Sequence, residues 1–152
     1  VYVPGGHAPM QDLATSPQMG KLLRAFHARH KITALVCHGP VALISALPDA
    51  SNWTPKLAAD PHIHAQKWIY AGYRMTSFTN AEEEASKAIF NGGALKFTPE
   101  TALTQAGGQF SKAAEKWQGY LVEDRELITG QNPASAKLVG QRLVALLAEH
   151  KS

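Results

Sequence analysis

The sequence predicts an α/β fold organised on a parallel sheet, on three observations. Ile32 to Val36 is a short apolar run bounded by polar segments, which marks a fully buried strand. Met19, Leu22, Leu23 and Phe26, just before it, fall at i, i+3, i+4 and i+7, the spacing of one helical face, and predict a helix over Pro17 to His30. Val1-Tyr2-Val3, ahead of both, is a β-favouring run that stops at Pro4-Gly5-Gly6. Strand, helix, strand at these lengths is a βαβ unit, the crossover that parallel neighbours require.

The remaining elements follow in order. Cys37-His38-Gly39-Pro40 leaves the second strand directly, and Val41 to Leu47 reads as helical, with Pro40 suited to the first helical position. Pro48 to Ala71 holds three prolines among weak patterning and reads as a long loop or surface insertion. Tyr73 to Phe78 regains strand character. Asn80, with Glu83 three residues on, predicts a capping-box start to a helix running to about Phe90, and Thr98-Pro99-Glu100 starts another that ends near Gly107-Gly108. Tyr120 to Glu123 and Glu126 to Thr129 read as a hairpin around Asp124-Arg125. Asn132-Pro133 caps a last helix with a broad apolar face, Leu138 to Leu147, which closes on the basic His150-Lys151.

Composition narrows the function. A chain of 152 residues, 45% hydrophobic and 18% charged, is long enough for one domain with a sizeable core, and residues 1–152 are expected to form one. Its apolar runs fall far short of the ~20 residues of a spanning helix, and no basic-then-apolar leader opens the chain. The expectation is a cytoplasmic protein with no membrane partner. The net charge is +3, but the fifteen Lys and Arg are scattered without a run, which argues against a nucleic-acid partner. A single cysteine excludes an internal disulfide framework and a multi-Cys zinc site, leaving a buried structural thiol or a reactive one.

Position favours the reactive thiol. In an open parallel sheet the strand C-termini converge on the ligand-binding edge, and both the Gly5-Gly6-His7 loop and Cys37 lie at such ends. A thiol at a helix N-terminus gains from the macrodipole and from nearby N–H groups, so Cys37 is expected to be reactive near neutral pH. His38 supplies a proton-transfer group, and the N–H groups of the glycine loop and of His38 could hold an oxyanion. The pairs His27/His30 and His62/His64 lack companion carboxylates or cysteines and read as surface histidines. Of Glu82-Glu83-Glu84, at least two are expected to do no more than favour the first turn of a helix.

Four ordered stretches carry a resemblance over essentially the whole chain: Pro4-Gly5-Gly6-His7-Ala8-Pro9-Met10-Gln11-Asp12-Leu13, Val36-Cys37-His38-Gly39-Pro40, Phe78-Thr79-Asn80-Ala81-Glu82-Glu83, and Leu127-Ile128-Thr129-Gly130-Gln131-Asn132-Pro133-Ala134-Ser135. Together they resemble landmarks of the ThiJ/PfpI superfamily, related to the class I glutamine amidotransferases. The proline-glycine-histidine loop with its aspartate is most similar to the glutathione-independent glyoxalase III group, which also holds chaperones and deglycases. The resemblance implies a flavodoxin-like sandwich, with helices on both faces of the parallel sheet. It also implies a nucleophile at Cys37, a proton-transfer histidine at His38 and an acidic partner at Glu83, or Glu82 if the helix starts one residue off. Oxyanion or substrate contacts would come from Gly5, Gly6 and His7, without metal or cofactor.

By the same resemblance the substrate is a small aldehyde, methylglyoxal or a similar 2-oxoaldehyde, converted to a 2-hydroxy acid such as lactate in a lyase reaction of the D-lactate dehydratase class. Competing readings are a cysteine hydrolase, deglycase or amidotransferase-like enzyme, and a stress chaperone or oxidation sensor in which Cys37 is modified. Family members carry further strands and helices before the Pro-Gly-Gly-His loop, including a buried acidic residue beside the thiol. This chain corresponds to the C-terminal larger part of that fold, so a homo-oligomer or a companion N-terminal polypeptide is expected to cover its open edges.

Overall fold

The computed structural model describes residues 1–150. A four-stranded sheet has the order β1 (Tyr2–Val3), β2 (Thr33–Val36), β6 (Leu127–Gly130), β5 (Leu121–Asp124). The first three run parallel, and β5 closes the edge antiparallel to β6. A parallel pair of two-residue strands, β3 (Arg74–Met75) and β4 (Gln109–Phe110), stands apart. The α-helices are α1 (Ala8–Asp12), α2 (Pro17–Ala28), α3 (Ala50–Ala59), α4 (Asn80–Ser86), α5 (Pro99–Gln105) and α6 (Ala136–Glu149). Among the described residues no helix is long and apolar enough to cross a membrane.

Every residue of β2 is buried, because the sheet is covered on both faces and side chains alternate between them. Leu35 joins Val3, Leu127, Leu23 and the segment after Cys37 in the larger core. Ala34, Val36 and Ile128 face the other way, onto Val139, Leu143 and Leu146 of α6. The α/β sandwich read from the sequence is therefore the fold. Ser16 caps α2 by accepting from the Met19 N–H at 3.1 Å, and Pro17 follows at the first helical position.

Several boundaries differ from expectation, each for a local reason. Gly39–Ala46 is a 3₁₀ helix rather than an α-helix, and all eight of its residues are buried. Its carbonyls are engaged elsewhere: Leu43 O accepts from the Trp68 indole at 2.9 Å and Ala42 O from the Ser45 hydroxyl at 2.6 Å. The 48–71 stretch is not a surface loop. It contains α3, whose internal Pro55 breaks the sequence pattern, and it delivers Trp53, Trp68 and Tyr70 to the core. Only Arg74 and Met75 of the 73–78 run pair as a strand, since Thr76 N–H donates to Thr129 Oγ1 and Phe78 N–H to Cys37 O.

The helix expected to reach Phe90 ends at Ser86, and turns follow. The hairpin register pairs Asp124 with Leu127, so its turn is Arg125-Glu126, with Arg125 at φ +56°. The Arg125 guanidinium, 3.5 Å above the Tyr73 ring, helps to hold a conformation unusual for a residue with a Cβ. A 3₁₀ turn, Pro133–Ser135, precedes α6, whose apolar face is only partly used: Leu138, Val144 and Leu147 are exposed. Lys151 of the expected basic end lies outside the described residues.

Candidate active site

Cys37 follows β2 with φ +64°, a left-handed conformation that costs about 1 kcal/mol or more for a residue with a side chain. Its peptide groups are fixed on both sides. Cys37 N–H donates to Gly130 O at 2.9 Å, and Cys37 O accepts from Phe78 N–H at 2.8 Å. The kink turns the sulfur toward the glycine loop, and only glycine fits opposite: a Cβ at Gly5 would lie 2.8 Å from Cys37 Cβ. Gly39 allows the matching approach from below, since a Cβ there would lie 2.7 Å from Val3 O. Loop, elbow and β1 are thus packed backbone against backbone.

The side chains around the thiol form a chain of contacts. Cys37 Sγ is 3.5 Å from His38 Nδ1. His38 Nε2 donates to Glu83 Oε2 at 2.7 Å, which fixes the tautomer and leaves Nδ1 as an acceptor toward the sulfur. The other carboxylate oxygen, Glu83 Oε1, lies 3.3 Å from His7 Nε2. The His7 and His38 rings are 4.2 Å apart, and Phe78 lies 4.5 Å from His38 on its own contact. His38 is 2% exposed.

Local electrostatics correct one expectation. Burial pushes the Cys37 thiol up to about 11, and the charges of Glu82 and Glu83 add to the rise. The backbone N–H groups of His38 and Gly6 pull the other way without overcoming it. The resting sulfur is therefore a thiol near neutral pH, not the thiolate that its place before a helix implies. Burial likewise opposes ionisation of Glu83, but hydrogen bonds and charge from His38 and His7 outweigh it and hold the carboxyl below its usual value.

The glutamate assignments also shift by one turn position. The N-cap of α4 is Thr79, not Asn80, and its capping-box partner is Glu82. Glu82 is fully buried and accepts from five donors: Thr79 N–H and Oγ1–H, Gln131 Nε2, Asn132 Nδ2 and Trp117 N–H. Among the described residues it makes no hydrogen bond or ion pair with His38, whose partner is Glu83. Two of the three acidic residues thus do more than favour a helix start; exposed Glu84 pairs with Lys87, at 2.6 Å. The burial of Glu82 had no signal in the sequence beyond the Thr79 three residues before it.

Among the loop residues, Gly6 brings its N–H to the sulfur and Gly5 gives clearance, whereas His7 brings a side chain rather than only a backbone donor. A cavity of about 310 Å³ opens beside them, walled by His7, Glu83, Ser86, Lys87, Phe90 and Leu95. Donor atoms of His7, His38 and Glu83 lie within 4.8 Å of one another, close enough to hold an ion. Each Glu83 oxygen is already engaged by a histidine nitrogen, and that pairing accounts for their closeness. His62, His64 and His30 are exposed, while His27 is half-buried, 4.0 Å from Glu126 and against Tyr70 and Tyr73.

A cysteine on a kinked strand-to-helix turn, backed by a histidine and a carboxylate, defines an α/β protein with a nucleophile-elbow architecture. Comparison with known proteins finds related sequences and folds. The model of the DJ-1/PfpI family matches residues 1–54. The chain is 27% identical over 149 residues to the probable glutathione-independent glyoxalase hsp3103 of Schizosaccharomyces pombe, covering 96% of this chain and 52% of that protein. It is 25% identical over 146 residues to the protein/nucleic acid deglycase HchA of Staphylococcus aureus, covering 95% and 44%. The solved glyoxalase III of Candida albicans shares the fold at TM-score 0.71, with 21% identity over 95% of this chain and 55% of that one. The chain is thus similar over its first third to the DJ-1/PfpI family, and over nearly its whole length to a glutathione-independent glyoxalase and to a deglycase, each at under 30% identity. It spans about half the length of the curated relatives it matches.

Proposed function

We propose that this chain carries the reacting groups of a glutathione-independent glyoxalase, which converts methylglyoxal or a similar 2-oxoaldehyde to lactate or the corresponding 2-hydroxy acid. The observation that carries the reading is the Cys37–His38–Glu83 contact chain on a strained elbow. In the reaction, His38 Nδ1 takes the thiol proton as the sulfur adds to the aldehyde carbon, giving a hemithioacetal. His38 then moves a proton from that carbon to the neighbouring carbonyl carbon, through an enediol, and leaves a thioester. Water releases the acid and restores the thiol. N–H groups of Gly6 and His38, already directed at the sulfur, are placed to hold the oxyanion.

The raised thiol pKa fits this sequence, because a sulfur that rests as a thiol loses its proton to His38 only as the bond to carbon forms. It fits an oxidation sensor less well, since peroxide attacks thiolates. A deglycase reading uses the same groups on a hemithioaminal and is separated by substrate. The free outer edge of β1 supports a further strand from a second copy or a companion polypeptide. The test is lactate formation from methylglyoxal without glutathione, against Cys37→Ala and against glycated amino acids. Equal rates for the parent and Cys37→Ala, or turnover of glycated substrates alone, would reject the glyoxalase reading.

A further inference from the structure

Glu83 stands between two histidines, and the three side chains together offer a second chemistry. His38 Nε2 lies 2.7 Å from Glu83 Oε2, and His7 Nε2 lies 3.3 Å from Glu83 Oε1. Both rings donate to the carboxylate, so hydrogen bonds suffice to hold the group together. Two imidazole nitrogens and a carboxylate oxygen, all within 4.8 Å of one another, are also the donor set of a three-ligand metal site. Around a tetrahedral zinc ion such donors stand roughly 3.3 Å apart, at bonds of about 2.0–2.1 Å. The His7–Glu83 contact already has this length, and the widest pair must close in to reach it. The cavity walled by His7 and Glu83 gives an ion a way in and leaves space for water as the fourth ligand.

We propose that His7, His38 and Glu83 form a binding site for a divalent transition-metal ion such as zinc, and that its occupation withdraws His38 from the thiol. The two nitrogen donors set such ions apart from magnesium and calcium, which take oxygen. On binding, each ring gives up its Nε2 proton to solvent and takes one on Nδ1, so the rings stay neutral and nothing is oxidised or reduced. For His38 this is the wrong tautomer for the reaction. Its Nδ1, 3.5 Å from Cys37 Sγ, becomes a donor toward the sulfur and cannot take the thiol proton. The sulfur contacts the Nδ1 side of the ring and the ion would bind the Nε2 side, so Cys37 is not a ligand. Binding rests on the donor geometry alone, and inhibition rests on the proposed reaction.

Zinc titration of the full chain, followed by NMR of the ¹⁵N-labelled histidines, tests the site without any substrate. The Nε2 atoms of His7 and His38 are expected to change together from protonated to metal-bound nitrogens, while magnesium leaves them unchanged. Zinc shifts confined to exposed histidines such as His62 and His64 would overturn the site, and this readout needs no variant to fold. In calorimetry, His7→Phe and Glu83→Gln are each expected to weaken zinc binding by at least the roughly tenfold that even the outer partners of a metal command. Parent affinity in both variants rejects the site. Cys37→Ala is expected to bind zinc as the parent does, and loss of binding there would make the thiol the ligand instead. Because no turnover is involved, failure of methylglyoxal conversion counts against the proposed function alone. Where conversion is measured, zinc is expected to stop it and a chelator to restore it; full activity with the site filled would reject the withdrawal of His38.

Discussion

At Cys37, two demands on one residue pull in opposite directions. The elbow places the sulfur at the end of β2, against the glycine loop and His38, but the same packing removes it from water and pushes its thiol up to about 11. Iodoacetamide alkylation of Cys37 is accordingly expected to rise with pH toward a midpoint near that value. A profile like that of a free cysteine, near ~8.5, would show that the N–H groups of Gly6 and His38 dominate. Cys37, His38 and Glu83 were all legible as candidates, since each belongs to a short ordered motif. The protonation state was not legible, because burial depends on what Phe78, Gly130 and the loop bring from distant parts of the chain.

The α4 start shows how a one-residue shift in an element decides chemistry. Thr79 and Glu82 complete the capping box between them, which turns Glu83, the next residue, toward His38 and His7. From sequence, Asn80 and Glu83 offered an equally good box, and nothing local separates the two. Tertiary partners decide it: Gln131, Asn132 and the Trp117 N–H converge on Glu82. Thr79→Ala removes one cap and is expected to cost about 1 kcal/mol of stability in urea unfolding. Glu82→Ala strands several buried donors at once, and its expected loss is larger, about 3 kcal/mol or more. If the two losses were equal, the donors around Glu82 would have found other partners. A similar long-range choice made the 3₁₀ helix after His38, where a buried run with no polar side gives no periodicity to read.

Across the whole molecule, the sandwich was legible because α2 carries a helical periodicity and β2 is a short apolar run between polar flanks, while the 48–71 region was not. Pro55 disguises α3, and three aromatic residues that look like surface insertions are core. Global stability should carry the imprint of the site. Glu83 has a folded-state pKa below its unfolded value, so its ionised form stabilises the fold above the unfolded pKa. That contribution is lost as pH falls through the lowered folded value. Denaturant unfolding across the acid range is therefore expected to show a smaller acid-induced loss for Glu83→Gln than for the parent. Parallel curves for the two proteins would mean that the carboxylate contributes nothing net.

The hydrogen bond from Cys37 N–H to Gly130 O joins the elbow to a strand made late in synthesis. Until β6 has docked beside β2, the bond from Cys37 N–H to Gly130 O is missing and the elbow lacks one of its two backbone anchors. Contacts so distant in sequence form slowly, so burial of the Cys37 thiol is expected to be completed late. A refolding chain should pass through a window in which Cys37 is open to alkylation at neutral pH. Pulses of iodoacetamide during refolding from urea are expected to label Cys37 early and spare it once the native sheet has closed. Labelling that stays constant throughout would mean that the elbow shields its sulfur before β6 arrives.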